Sequence, residues 1–457
     1  MLDPKVTREL RGIVGEKNYL DTPEDLMNYS YDGYVPESKP DAVLFPVSTQ
    51  QVSDIMKVAY REEIPVTPRG AGTNICGGSV PMRGGIVLAF TRMNRILEIN
   101  KEDRLAVVEP GVINAELQAE VEARGLFYPP DPASMSVCTI AGNVALNAGG
   151  PRGVKYGVTR DYILGLTVVL PDGQIIHVGG RTAKNVTGID LVSLFTGSEG
   201  TLGLITEITC KLLPKPEAKQ TMQAIFNDLD LAGKAVAKIM GEGMLPVALE
   251  LMDSVVVNLV EDSAHVGLPR EAEGVLLIMM DGPRESVKRE VEIIAQLCRN
   301  QGATEVRVAK NQEEEDALWF ARRSAFGVMA RSRPNCIVED VTVPVSKVPA
   351  MIREIVSIAR TYNVVIGVLA HAGDGNMHPL LLTDQRETEE WERAQSAIRD
   401  IVLKAAELGG TLSGEHGIGM AKAEFLDLVM DTETLQFMGV IKRAVDPKGI
   451  LNPGKFL

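Results

Sequence analysis

The apolar positions change rhythm along the chain, and the changes mark out its elements. Residues 4–15 carry apolar side chains at helical spacing behind a proline, and Thr22-Pro-Glu-Asp-Leu is a second helix-start signal. Residues 41–46 (Asp-Ala-Val-Leu-Phe-Pro) predict a short strand, residues 48–60 a helix capped by Ser48, and residues 64–68 a second strand. From 85 to 213 short Val/Ile/Leu runs alternate with turn signals, at 85–88, 104–109, 164–170, 174–178 and 203–209. Pro171-Asp172-Gly173, between two of these runs, predicts a tight hairpin turn.

Pro214-Lys-Pro216 reads as a linker. Beyond it, helical patterns at 228–241, 283–302, 313–330 and 348–362 alternate with strand patterns at 250–253, 274–280 and 305–308. Residues 364–370 (Val-Val-Ile-Gly-Val-Leu-Ala) are apolar at every position but the glycine, which predicts a strand buried on both faces. A helix and a turn-rich end, Asp446-Pro-Lys-Gly-Ile-Leu-Asn452-Pro-Gly, follow from 432. The expectation is an α+β chain: a strand-rich first half, then helices packed on a sheet from 217 to about 425. No internal repeat interrupts this reading.

A chain of 457 residues exceeds one ordinary core, so two or three domains are expected. The net charge of -14, from 47 basic and 61 acidic residues, argues against nucleic acid or an anionic membrane as main partner. Cys76, Cys138, Cys210, Cys298 and Cys336 are widely spaced and form no CxxC pair. That disfavours a disulfide framework or a cysteine-rich cluster and fits a reducing cytoplasm. The N-terminus shows no apolar signal-peptide core, and no apolar run is long enough to span a bilayer. Any membrane association is therefore expected to be peripheral, through a partner.

Glycine concentrates in the first half. Pro68-Arg69-Gly70-Ala71-Gly72-Thr73-Asn74 is followed by Cys76-Gly77-Gly78. Such a loop presents successive N–H groups in an anion-binding concavity, which suits a pyrophosphate; alone, it reads equally as a surface turn. It does not stand alone. Pro129-Pro130-Asp131-Pro precedes Cys138-Thr139-Ile-Ala-Gly142-Asn143-Val-Ala-Leu-Asn147-Ala-Gly149-Gly150, and Gly197-Ser-Glu199-Gly-Thr-Leu-Gly203-Leu-Ile205 comes later. Together they imply a cleft where backbone approaches a large ligand. Neither G-x-G-x-x-G nor a Walker A motif is present, so a Rossmann site and a P-loop are not supported.

The second half carries two polar, glycine-flanked motifs, His371-Ala-Gly-Asp374-Gly375-Asn376-Met-His378 and Gly414-Glu415-His416-Gly417-Ile-Gly419, which hold three of the five histidines. Asp374-Gly375-Asn376 supplies turn chemistry, so a hairpin would return His378 toward His371. Each histidine alone could be a hydrogen-bonded core residue. With Glu415, the pair makes a two-nitrogen, one-oxygen set for a divalent metal. Zinc suits it first, and iron, manganese or cobalt also fit.

The glycine-rich segments, in this order, resemble the FAD-binding domain of flavoproteins of the vanillyl-alcohol-oxidase/PCMH type. Residues 371–378 and 414–419 resemble the hallmark motifs of the FAD-linked oxidase C-terminal domain. The branch implied is that of glycolate oxidase FAD subunits and D-lactate dehydrogenases, and the resemblance covers essentially the whole chain. It implies three parts: a PCMH-type FAD-binding domain over 1–216, an α+β substrate- and metal-binding cap domain with an antiparallel sheet over 217–430, and a segment 431–457 returning to the flavin domain. It also implies that residues 69–74, with Gly77 and Gly78, cradle the FAD pyrophosphate. Pro130, Asp131, Thr139, Gly142, Asn143, Asn147 and Gly149 line the flavin, Glu199, Gly203 and Ile205 cover the adenine side, and Asn452 returns to the cofactor. The loop lacks the histidine of covalent relatives, and Cys138 is expected to pack, so FAD is expected to be non-covalent.

The activity implied is oxidation of a small D-2-hydroxy acid, D-lactate or glycolate, with His371, His378 and Glu415 as metal ligands. His416 is the candidate general base, with a fourth ligand position as its rival role. Trp319-Phe-Ala-Arg322 resembles the family's Trp-x-x-Arg segment, which makes Arg322 the first candidate for the substrate carboxylate, with Lys422 behind it. His177 and His265 lie outside any motif and are expected to be structural. With no nicotinamide or cluster motif in the chain, electrons are expected to leave to a quinone or a protein, such as an iron–sulfur subunit or an electron-transferring flavoprotein. A homodimer is a further expected partner. Competing readings are an oxidase that uses oxygen, a non-catalytic flavin-binding docking subunit, and a metal-dependent hydrolase.

Overall fold

The computed structural model describes residues 2–34, 38–265 and 267–456, and these fall into two compact units. The first comprises the chain up to Gly149, Gly157–Lys215 and everything from Glu415 onward; the second comprises Gly150–Tyr156 and Pro216–Gly414.

In the first unit, Ala42–Leu44, Ile86–Ala89 and Val66–Arg69 lie side by side in parallel, and Tyr19–Leu20 adds an antiparallel edge. The crossover helix Thr49–Glu62 starts where the Ser48 hydroxyl accepts the Gln51 amide and stops where Glu63 turns left-handed. Its apolar stripe, Val52, Ile55, Met56 and Ala59, packs into one cluster with Leu10, Leu44, Val66 and Leu88. Each such fully buried side chain contributes roughly 1.5–3 kcal/mol. A second sheet is antiparallel, in the order Ile96–Asn100, Leu105–Val108, Leu204–Lys211, Ile163–Val169, Ile175–Gly179. Its last two strands form the hairpin expected from Pro171-Asp172-Gly173, closed by a Gly173 N–H to Leu170 carbonyl bond of 2.9 Å with Gly173 at φ 86°.

The C-terminal segment is built into this unit. Leu451 bridges Val66 in parallel, and the Asn452 amide donates to the Val66 carbonyl at 2.7 Å. Lys442, on the helix Thr432–Val445, donates to the Asp446 carboxylate (2.7 Å), the Thr201 carbonyl (2.7 Å) and the Leu451 carbonyl (2.8 Å). Asp446 is only 2% exposed. Removing Lys442 would leave that carboxylate buried without its counter-charge. Lys442→Met is therefore expected to lower the unfolding free energy by about 3–5 kcal/mol, read as an earlier urea midpoint.

The second unit is one antiparallel sheet with helices packed on it. Its strands run in the order Glu305–Val308, Ala218–Phe226, Gly274–Gly282, Ala248–Asp253, Val365–His371, Asn376–Thr383, Asn335–Val338, with Val341–Thr342 also paired to Asn376–Thr383. The strand Val365–His371 is buried at every position but Val365, as its unbroken apolar run predicts. The core beneath it joins Val256 and Val260 to Ala325, Met329, Leu369 and Leu380.

Two boundaries differ from those expected. Residues 415–430 group with the first unit because Cys76 and Glu199 bind them: the Cys76 carbonyl accepts the Met420 and Ala421 amides, and the Glu199 carboxylate accepts those of Ile418 and Gly419. Residues 150–156 group with the second, because Lys155 and Tyr156 both bond the Asp281 carboxylate. Among the described residues, no helix is long and apolar enough to cross a membrane.

Candidate active site

In the first unit the loop after Val66–Arg69 has no room for a side chain at Gly70 or Gly72. A Cβ on Gly70 would lie 2.3 Å from Thr139 Oγ1, and one on Gly72, at φ +71°, would lie 2.2 Å from Arg69 Nη2. The Arg69 guanidinium turns back into the protein, with Nη1 donating to the Tyr31 carbonyl at 2.7 Å. The Asn74 side chain folds the loop on itself: Oδ1 accepts the Gly78 amide (2.9 Å) and Nδ2 donates to Ser79 (3.0 Å). Among the described residues, the amides of Ala71, Gly72, Thr73 and Asn74 donate to no protein acceptor. Four consecutive amides with no protein acceptor, on a loop that admits no side chain at Gly70 or Gly72, fit a pyrophosphate.

The other glycine-rich segments converge on this loop. Thr139 caps the helix Ile140–Leu146, which carries Gly142 and Asn143, and Asn147 ends it at φ 53°. The Pro130 carbonyl accepts Gln118 Nε2 at 2.8 Å, which anchors the segment Pro129–Asp131. Asn452 ties three pieces together: its Nδ2 donates to the carbonyls of Gly78 (3.0 Å) and Glu199 (2.7 Å). Its Oδ1 is buried without a protein partner, another polar atom suited to a bound cofactor. Gly149 makes room for Glu415, since a Cβ there would lie 2.6 Å from Glu415 Oε2. His416 Nε2 lies 3.7 Å from Glu415 Oε1. Gly203 packs against Val168 and Phe195, and Ile205 pairs with Val168 in the second sheet. Cys138 is 3% exposed, and burial raises its thiol pKa, as a packing residue requires.

Glu199 has a role that its place in a glycine-rich motif did not reveal. Its carboxylate accepts the Ile418 and Gly419 amides at 2.7 and 2.8 Å, which fixes the turn just after His416. Burial pushes its pKa from 4.5 up to about 7, against the pull of those two amides. Between pH 4.5 and about 7 the folded chain therefore binds more protons here than the unfolded one. The stability present at the acid end is lost as pH rises through that window, by about 3 kcal/mol. Asp253, pushed up to about 7 by burial, acts in the same direction. Glu199→Gln is expected to flatten the fall of Tm across this window, and an unchanged slope would contradict the assignment.

In the second unit, His371 ends the strand Val365–His371 and His378 lies near the start of Asn376–Thr383. In the hairpin register His371 faces Asn376 and His378 faces Leu369, so the two imidazoles are diagonal neighbours on one face. Their ring centroids are 5.1 Å apart, edge to face. Both rings are held through Nδ1. That of His371 lies 2.8 Å from Glu250 Oε1, and that of His378 lies 3.3 Å from the Glu339 carbonyl. Each ring thus directs Nε2 away from its protein support, the arrangement a metal-binding histidine pair requires. The donor set in this unit fits a divalent cation.

Glu250 and Asp340 carry no sequence motif and were missed by motif reasoning. Glu250 stands opposite His371 in the next strand, is 1% exposed, and its Oε2 accepts from both Nε (2.7 Å) and Nη2 (2.6 Å) of Arg322. Complete burial is the largest influence and raises its pKa, but His371 and Arg322 together bring it below the ordinary value. Asp340 accepts Asn376 Nδ2 and the Ser413 hydroxyl, each at 2.7 Å. A carboxylate between Leu249 and Leu251, in the middle of the apolar strand Ala248–Asp253, was the available signal for Glu250. Arg322 is 8% exposed, so it is no solvated surface residue, and Nη1 is the end of its fork not committed to Glu250. Lys422 is also buried. His177, bonded to Thr167 at 3.1 Å, and His265, a helix cap, have structural places.

Residues 215–456 match the family of FAD linked oxidases, C-terminal domain, and residues 40–179 match an FAD binding domain. The glycolate oxidase subunit GlcD of Bacillus subtilis is 46% identical over 456 residues, covering 100% of this chain and 97% of that protein. The chain belongs to the FAD-linked oxidases. Other relatives include the Escherichia coli K12 glycolate oxidase subunit GlcD, 38% identical over 98% of this chain and 90% of its own length. The D-lactate dehydrogenase of Archaeoglobus fulgidus is 36% identical over 93% of this chain and 95% of its own length. Among solved structures, substrate-bound p-cresol methylhydroxylase shares the fold, with a TM-score of 0.79 at 19% identity over 99% of this chain and 96% of that one. This member of the FAD-linked oxidases is thus an FAD-dependent oxidoreductase with a PCMH-type fold.

Proposed function

We propose that the protein oxidises a small D-2-hydroxy acid, D-lactate or glycolate, to the 2-oxo acid, and passes the electrons to a partner protein or quinone. The observation that carries this reading is the hairpin that sets His371 and His378 side by side, each supported through Nδ1. The names of the relatives, glycolate oxidase subunit and D-lactate dehydrogenase, agree with it.

When bound, non-covalent FAD supplies a hydride acceptor and a divalent cation, zinc first, supplies a Lewis acid that acidifies the hydroxyl. The amides of residues 71–74 bind the pyrophosphate, and Asn452 secures the loop against Glu199. His371, His378 and Glu415 are the cation ligands. The Arg322 guanidinium binds the substrate carboxylate through Nη1, and the His416 imidazole takes the hydroxyl proton as hydride leaves the α-carbon. Glu199 holds the turn that follows His416. The word "subunit" in the relatives' names supports a protein partner, an iron–sulfur subunit or an electron-transferring flavoprotein, as electron acceptor.

The test is anaerobic mixing of the pure holoprotein with D- and L-lactate, glycolate and D-2-hydroxyglutarate, followed by admission of air. Loss of flavin colour with D-lactate or glycolate, and little peroxide on re-oxidation, is expected. Peroxide at the turnover rate would select direct use of oxygen. A flavin that no acid bleaches would contradict the proposal.

A further inference from the structure

A completely buried carboxylate in the middle of an apolar strand is costly unless it has a task that an apolar residue could not perform. Glu250 is such a group. It sits between Leu249 and Leu251, directly across from His371 in the neighbouring strand, and is 1% exposed. Its Oε1 and Oε2 lie 2.8 and 2.9 Å from His371 Nδ1.

Arg322 also approaches the same ring nitrogen. Arg322 Nη2 is 3.5 Å from His371 Nδ1 and, as a guanidinium, can only donate. The same Nη2 is 2.6 Å from Glu250 Oε2, so its proton goes to the carboxylate, and the longer contact is the weaker one. An ionised carboxylate can only accept. The proton of the His371–Glu250 contact must therefore reside on Nδ1, and the Nε2 lone pair is left as the basic end of the ring. The same carboxylate fixes the plane of the Arg322 fork through Nε and Nη2, so that Nη1 is the end it presents.

We infer that Glu250 is a positioning residue for both halves of the substrate site, locking His371 in the Nδ1–H tautomer that makes Nε2 a cation ligand and aiming Arg322 at the substrate carboxylate. The inference deepens the proposed function and, for its metal consequence, rests on that reading. A carboxylate behind a ligating histidine typically contributes about 10–100-fold in metal affinity.

The test uses the full-length protein with 15N-labelled histidine and, in parallel, zinc and manganese titrations against a chelator of known affinity. In the wild type His371 is expected to show the Nδ1–H tautomer. In Glu250→Gln, whose amide oxygen stays with the Arg322 fork while its NH2 replaces the Oε1 that faces His371 and can donate to Nδ1, that tautomer is expected to be lost and metal affinity to fall by about 10–100-fold, with FAD retained. Since Gln would leave the Arg322 charge buried, the double variant Glu250→Leu/Arg322→Leu, which replaces the ion pair by apolar groups, serves as a second check and is expected to show the same two changes. An Nε2–H tautomer in the wild type, or a folded variant with unchanged tautomer and affinity, overturns the inference. A wild type that binds neither metal overturns the cation part of the proposed function instead, and the tautomer still decides the role of Glu250.

Discussion

Replacing His416 by alanine is expected to leave a folded, yellow protein that no 2-hydroxy acid can bleach. The imidazole is the group assigned to take the hydroxyl proton, and a positioned general base contributes about 10²–10⁴-fold. Its side chain is 19% exposed, so truncation opens no sealed core cavity. The turn around it persists, because the Ile418 and Gly419 amides remain bonded to Glu199. The glycine loop assigned to the pyrophosphate is untouched, so the FAD content should stay the same. Anaerobic stopped-flow mixing checks this: the rate of flavin bleaching should fall by at least about 10²-fold while the resting flavin spectrum is unchanged. A rate within threefold of wild type would remove His416 from the chemistry, as general base and as cation ligand alike.

The second large effect is expected from His378→Ala and, in the wild type, from prolonged chelation. Both should abolish substrate-driven bleaching and leave FAD bound, because the imidazole pair and the amide loop belong to different units of the chain. A Lewis acid on the developing alkoxide is worth several kcal/mol, hence roughly two or more orders of magnitude in rate. Re-addition of zinc or manganese should restore the chelated wild type and not the variant. Full activity in rigorously metal-free protein would refute the cation assignment and return the two histidines to the status of hydrogen-bonded core residues.

Much of this was legible in the sequence where local chemistry dictates local structure. The apolar run at 364–370, the Asp374-Gly375-Asn376 turn and His378 two residues on define a hairpin, and the pairing of His371 with Asn376 is the register those residues require. The glycines at 70 and 72 announced a loop with close backbone approach at those two positions, and Thr139 and Gly70 prove mutually fitted. What could not be read was whatever depends on partners distant in the chain. Glu250 lies 121 residues from His371, and only the sheet order makes them neighbours. Glu199 was expected on the adenine side of the cofactor, and its motif did not reveal that its carboxylate grips amides 219 and 220 residues away. The unit boundaries shifted for the same reason: long-range hydrogen bonds to residues 415–430 and 150–156, rather than composition, decide where those segments belong.

The central claim is that hydride leaves the α-carbon of a D-2-hydroxy acid for the flavin of this protein. The most direct measurement is anaerobic flavin bleaching by D-lactate and by glycolate, each with and without deuterium at C2. At least one of the two acids is expected to bleach the flavin, more slowly when deuterated, with L-lactate inert. Bleaching by neither D-lactate nor glycolate would contradict it.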